Sequence, residues 1–195
     1  MNKIDTLKIP LFSERLSLRE FMEDDWAAVH SYASQATVCH YQPWGPNTEV
    51  DSQEYVQQVI QDAAQKPRRR YALAIEMNEA MVGTGEISIE DIHHQVGVIA
   101  YIVHPDYWGQ GIATEVARLL IDFGFQALNL HRIYATCDCR NIGSAKVLEK
   151  AGMIKDGRLR EHLWIKGGWR DSYLYSVLEQ EWKREKFVIE KGAVQ

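Results

Sequence analysis

His104-Pro105-Asp106-Tyr107-Trp108-Gly109-Gln110-Gly111-Ile112-Ala113-Thr114-Glu115 is the stretch that decides how this chain is read. Immediately before it, Val98-Ile99-Ala100-Tyr101-Ile102-Val103 is almost continuously apolar, the pattern of a strand buried on both faces. Immediately after it, Val116, Leu119, Leu120, Phe123 and Ala127 recur at three-to-four spacing, with Glu115, Arg118 and Asp122 on the opposite side. That is an amphipathic helix. Glycines in a strand-to-helix turn let backbone amides approach a ligand, and the helix N-terminus adds unpaired N–H donors and a positive dipole end. The combination suits a phosphate.

Three narrower readings of the turn compete. A nucleotide phosphate loop needs a Lys after its last glycine, and none follows Gly111. A dinucleotide fingerprint needs a third glycine where Thr114 stands, and repeated strand-helix-strand units that this chain lacks. A purely structural connection stays open on the glycines alone.

Outward from the turn, the chain reads as mixed α and β structure. Residues 15–19 alternate as a strand, and Glu23-Asp24-Asp25 suit a helix N-terminus before residues 26–32. Pro43-Trp44-Gly45-Pro46-Asn47 is a loop, and residues 51–64 have helical composition ended by Pro67. Arg68-Arg69-Arg70 reads as a solvated loop entering a strand at 71–77. The turn Asn78-Glu79 leads into a strand at 81–90, and His93-His94 lie near the turn before the strand at 96–103. Beyond the amphipathic helix come a strand at 133–137, a short helix at 144–151 closed by Gly152, and two antiparallel strands around Gly167-Gly168. The expected fold is one α+β domain.

Composition narrows the function. The 195 residues are 46% hydrophobic and 25% charged, a globular profile. With 22 basic against 27 acidic side chains, and a net charge of -5, no general nucleic-acid binder is expected. Cys39, Cys137 and Cys139 do not have metal-ligand spacing, so no metal is expected. The N-terminus lacks a signal-peptide core, and no run of about 18 apolar residues is available to span a membrane. The expected location is the reducing cytoplasm.

Residues 107–115, Tyr-Trp-Gly-Gln-Gly-Ile-Ala-Thr-Glu, resemble the acetyl-CoA pyrophosphate loop of the GNAT superfamily of N-acetyltransferases. Residues 141–153, Asn-Ile-Gly-Ser-Ala-Lys-Val-Leu-Glu-Lys-Ala-Gly-Met, are similar to that family's second signature. Residues 13–19 and 171–176 resemble the subfamily that acetylates ribosomal-protein N-termini. Trp108 stands where the superfamily usually has Gln or Arg, and Met153 where it commonly has Phe. The likeness covers about 12–182, leaving 183–195 as a charged C-terminal tail.

The resemblance implies a central, mostly antiparallel sheet splayed at its middle strands and flanked by helices. It implies acetyl-CoA as cosubstrate, held by Ile102, Val103, His104, Trp108, Gly109, Gln110, Gly111, Ile112, Ala113, Thr114, Asn141 and Ser144. Backbone N–H groups at 102–104 would polarise the thioester carbonyl, and Asn141 would also cap its helix. Ser144 is the candidate proton donor to the departing thiol, Glu86 the candidate base, and Glu161 a weaker alternative. Cys137 reads as a bystander and His104 as structural, with His93, His94 and Trp44 expected on the amine side of the cleft. The implied acceptor is a primary amine, foremost a protein N-terminal α-amine. A polyamine or aminoglycoside, or an acyl-CoA sensor without turnover, are the alternatives, and the oligomeric state, a homodimer included, stays open.

Overall fold

The computed structural model describes residues 9–183, so the expected tail lies outside the described residues except at its first position. Asn78 and Glu79 both adopt positive φ, 50° and 66°, and turn β3 (Arg70–Met77) tightly into β4 (Ala80–Asp91). β5 (Val96–Val103) continues the antiparallel run. The remaining strands are β1 (Leu11–Phe12), β2 (Ser17–Arg19), β6 (Arg132–Asp138), β7 (Ile154–Ile165) and β8 (Gly168–Leu178). Together they form an eight-stranded sheet of order β1-β2-β3-β4-β5-β6-β8-β7.

One neighbouring pair is parallel. A crossover through α4 (Ile112–Gln126) returns the chain to the sheet in the same direction, so β6 runs beside β5. Their pairing covers only Val96, Val98 and Gly97 against Arg132, Tyr134 and Ile133. Past Val98 the strands part, while β6 stays paired with β8 as far as Asp138 opposite Ser172. The sheet is therefore split at its centre, as the resemblance implies.

Helices cover both faces. The stripe Val116, Leu120 and Ile121 of α4 is fully buried, with Leu148 of α5 (Ile142–Lys150), over Leu73, Ile87 and Ile133 of the sheet. Burial of a side chain of this size contributes about 1.5–3 kcal/mol, so this layer anchors the central crossover. On the opposite face, α1 (Trp26–Ala33) and α3 (Glu49–Ala64) pack Val29, Tyr32, Val56 and Val59 against Ala72 and Ala74. A capping box between Thr48 and Asp51 starts α3. The short α2 (Ala36–Cys39) leads into a loop over the mouth of the split.

Several sequence expectations need correction. β5 is not buried on both faces: Ala100 is exposed, and Val98 and Ile102 are half-buried, because the split sheet leaves that face open. Arg68 and Arg70 are not simply solvated. Arg68 pairs with Glu20 at 2.6 Å and stacks over Tyr71, while Arg70 bridges Asp62 and Glu86 at 2.8 Å each. Trp44 packs against the α1–α3 core and lines neither the split nor the cavity beside it. His93 and His94 sit in the β4–β5 turn, where their backbone N–H groups and the His94 ring contact Asp91. That turn lies at the closed end of β5, away from the split.

Candidate active site

Gly109 and Gly111 have φ of +76° and +79°, the left-handed region that side chains disfavour. Gly111 is the N-cap of α4 and has no side chain to cap it. The first helical bond runs from Glu115 N–H to Gly111 O at 3.1 Å, so the amides of 112–114 have no intrahelical acceptor. The loop is braced from behind. Trp108 Nε1 donates to Val103 O at 2.7 Å, Gln110 Nε2 donates to Asp106 O, and His104 Nδ1 accepts from Asp106 N–H at 3.2 Å. Arg15 donates to Gln110 O at 2.9 Å and pairs with Glu115 at 2.6 Å. The result is a fixed ring of backbone donors at a positive helix end, which suits a pyrophosphate.

The split between β5 and β6 forms a narrow cavity of about 90 Å³. Ala100 and Tyr101 line one wall, Cys137 the other, Asn141 and Ser144 the helix end, and Arg170 the mouth. Asn141 Oδ1 accepts from Ser144 N–H at 3.0 Å and so caps α5 from inside this cavity. Ser144 Oγ lies 3.0 Å from the Tyr101 hydroxyl. Burial pushes the Tyr101 phenol well above its ordinary range. Burial likewise pushes the Cys137 thiol up to about 11, which leaves it a poor nucleophile and fits a bystander.

The strand backbone corrects the expected oxyanion donors. His104 N–H donates to Val82 O at 2.8 Å, so it is spent on β4. Alternation in an antiparallel ladder turns Ile102, opposite Thr84, the same way. Tyr101 and Val103 therefore direct their N–H groups toward the split. Of residues 102–104 only Val103 keeps the expected direction, and Tyr101 joins it.

Glu86 is not poised as a free base. Its carboxylate accepts from Arg70 at 2.8 Å and from Ser88 at 3.1 Å, and it lines neither cavity of the site. Glu161 is exposed at a β-bulge with φ of 49°, its N–H donating to Asp171. The bulge instead places His162 on the wall of a second cavity, of about 400 Å³. Val98, Leu159, Leu174, Tyr134 and Glu90 also line it, and it shares Thr136 with the split. The Tyr134 hydroxyl donates to Glu90, and Arg132 at the cavity edge pairs with Asp156 at 2.8 Å. Among the described residues, no cluster of three metal-ligating side chains occurs.

A family model described as an acetyltransferase (GNAT) domain matches residues 15–154. The chain belongs to the GNAT family of N-acetyltransferases. Among its relatives, the uncharacterised N-acetyltransferase YnaD of Bacillus subtilis is 33% identical over 87% of this chain and 97% of its own length. Spermidine N(1)-acetyltransferase of Escherichia coli is 25% identical over 87% of this chain and 89% of its own. Among solved structures, ribosomal-protein-S5-alanine acetyltransferase from Vibrio fischeri superposes with a TM-score of 0.75 at 27% identity, covering 90% and 99% of the two chains. Mycobacterium smegmatis RimJ, solved in complex with CoA-disulfide, gives 0.72 at 29% identity over 85% and 83%. This GNAT enzyme accordingly has the fold and the acyl-transfer chemistry that the resemblance implied. No helix among the described residues is long and apolar enough to cross a membrane.

Sequence reasoning missed Tyr101, Arg170, Arg15 and His162. Tyr101 carried a signal, a hydroxyl inside an otherwise apolar strand. Arg15 lies in the 13–19 stretch that carries the resemblance, with no role attached to it there, and Arg170 and His162 are placed by tertiary pairing alone.

Proposed function

We propose that this enzyme moves the acetyl group of acetyl-CoA to the α-amine of a protein N-terminus, in the cytoplasm. The supporting observation is the make-up of the 400 Å³ cavity beside the split. Its lining mixes aliphatic Val98, Leu159 and Leu174 with Thr136, Tyr134, His162 and Arg132, and holds one carboxylate, Glu90, which already accepts from Tyr134. A polyamine carries several ammonium groups and needs several free carboxylates, whereas a peptide end brings one amine and an apolar side chain. An α-amine titrates about 7.7–8.0 and a lysine-type amine about 10.4, so the peptide also asks less of any base.

In this reading, amides at 109–114 hold the pyrophosphate and Asn141 takes the pantetheine amide region. The amine enters from the second cavity, past Thr136, and attacks the thioester carbon. Val103 and Tyr101 N–H groups receive the charge that grows on the carbonyl oxygen. The C–S bond then breaks, and Ser144 Oγ donates a hydrogen bond to the departing sulfur. His162, whose Nδ1 lies 3.0 Å from Ser172 Oγ, takes the ammonium proton directly or through water.

Thiol release measured with N-terminal peptides beside spermidine and aminoglycosides tests the reading. Peptides should show the higher kcat/KM. A preference for spermidine, the substrate its Escherichia coli relative is named for, would reverse the acceptor assignment. CoA binding without turnover on any amine would favour a sensor.

A further inference from the structure

Arg170 is the one described residue with a buried side-chain nitrogen or oxygen lacking any hydrogen-bond partner, its Nε. The other two guanidinium nitrogens are tied down. Nη1 donates to Tyr41 O and Nη2 to Ser172 Oγ, each at 3.0 Å. These bonds carry the guanidinium from β8 to the loop after α2, across the mouth of the split, where Arg170 lines the same narrow cavity as Ser144 and Cys137. A buried donor left unpaired is unfavourable by the full desolvation of that group, so such atoms mark places where a ligand supplies the acceptor.

The guanidinium also makes no direct ion pair. Among the described residues, no carboxylate lies within ion-pair distance of Arg170. Asp138, almost fully buried beside the cavity, is held by Arg140 through Nε at 3.0 Å and Nη2 at 2.7 Å. Asp171, next in the chain, pairs with Arg158. Both neighbouring carboxylates are thus paired with other arginines; the Arg140 hydrogen bond is the main cause that holds the Asp138 carboxyl low, with Arg170 adding a smaller through-space contribution, and the cation faces the cavity.

Acyl transfer creates one full negative charge there. When the C–S bond breaks, the electron pair stays on sulfur and the departing group is a thiolate. Ser144 and Tyr101 offer it hydroxyl donors, but a serine hydroxyl and a phenol pushed up by burial are both weaker acids than a thiol, whose ordinary value is about 8.5. Neither gives up its proton fully to the sulfur. The charge has to be held as an anion, and a fixed cation does that.

We propose that Arg170 is a further catalytic residue, the cation that stabilises the CoA thiolate as it leaves. This rests on the thioester lying in the split, as proposed above. The other titratable groups facing this spot are Tyr101 on β5, Cys137 and Asp138 on β6 and Tyr41 on the loop after α2, with His162 on β7 behind Ser172.

The test follows the thiol of CoA itself, bound to the whole protein, by its ultraviolet thiolate absorbance across pH. On the native enzyme the bound thiol should titrate about one unit or more below free CoA. Arg170→Gln should return it toward the free value, and Arg170→Lys, which keeps the charge, should keep most of the shift. Affinity for desulfo-CoA, which has no thiol, should not change in either variant. In turnover, Arg170→Gln should lower kcat by about ten- to a hundred-fold with KM for acetyl-CoA unchanged. A bound thiol that titrates at or above the free value in the native enzyme overturns the proposal, and needs no variant to fold. An equal shift in native enzyme and Arg170→Gln also overturns it. Failure of CoA to bind the split at all would remove the cofactor placement together with this inference, and is distinguished by the desulfo-CoA titration.

Discussion

The two ends of the split sheet are built on opposite principles. At the α4 end the site is backbone: two glycines at positive φ and a helix N-terminus, all within residues 109–114. At the proposed thiol and acceptor end it is side chains brought from the loop after α2, β4, β5, β6, β7, β8 and α5, spread from Tyr41 to Leu174. A diphosphate is the same in every reaction and can be met by local geometry. The acceptor is what distinguishes one enzyme of the family from another, and the surfaces that meet it are assembled at long range.

The sharpest way to break this contrast is Gly111→Val. A β-branched residue is strained at φ of +79°, and its Cβ would stand 3.5 Å from the Arg15 guanidinium, at the edge of the donor ring. Calorimetry should show acetyl-CoA affinity reduced by about ten-fold or more, as charge-assisted bonds are lost. The melting curve should show a folded protein, because the core face of α4 is untouched. Unchanged affinity in a folded variant would mean that the loop does not hold the pyrophosphate.

Leu174→Arg probes the other end. A cation in the 400 Å³ cavity should raise the acceptor KM by about ten-fold while leaving acetyl-CoA affinity as it was, since a like charge opposes an incoming ammonium. Steady-state kinetics with each substrate varied in turn reads both quantities. A change in cofactor affinity alone would mean that the two ends are not separate.

These ends differ in how well the sequence revealed them. The loop was legible because strand, turn and helix follow one another and their periodicities change at Val103 and Ile112. Splaying was not readable from β5, whose apolar run suggested burial on both faces. Ala100 is small and apolar whether a core or a ligand covers it, so hydropathy cannot separate the two. The hydrogen-bond parity of the strand was equally hidden, and only the His104 to Val82 bond shows which amides face the split. Arg170 and His162 sit in a charged hairpin whose pairing register, bulge included, depends on β8 meeting β6.

Glu86→Gln gives the smallest expected effect. The half-exposed pair with Arg70 should be worth about 0.2–1 kcal/mol in a melting measurement, and kcat should stay within about two-fold. A general base at this position would instead lower the rate by about a hundred-fold or more when removed, which kinetics across pH would detect at once.

The central claim is that one continuous path joins the glycine loop, the split between β5 and β6, and the cavity that meets the amine. A crystal structure of the CoA complex tests it most directly. The account predicts pyrophosphate oxygens on the amides at 109–114, a pantetheine arm along the free edge of β5, and the sulfur within hydrogen-bond reach of Ser144 Oγ and Arg170. CoA bound elsewhere, or a split closed by continued pairing of β5 with β6 beyond Val98, would contradict it.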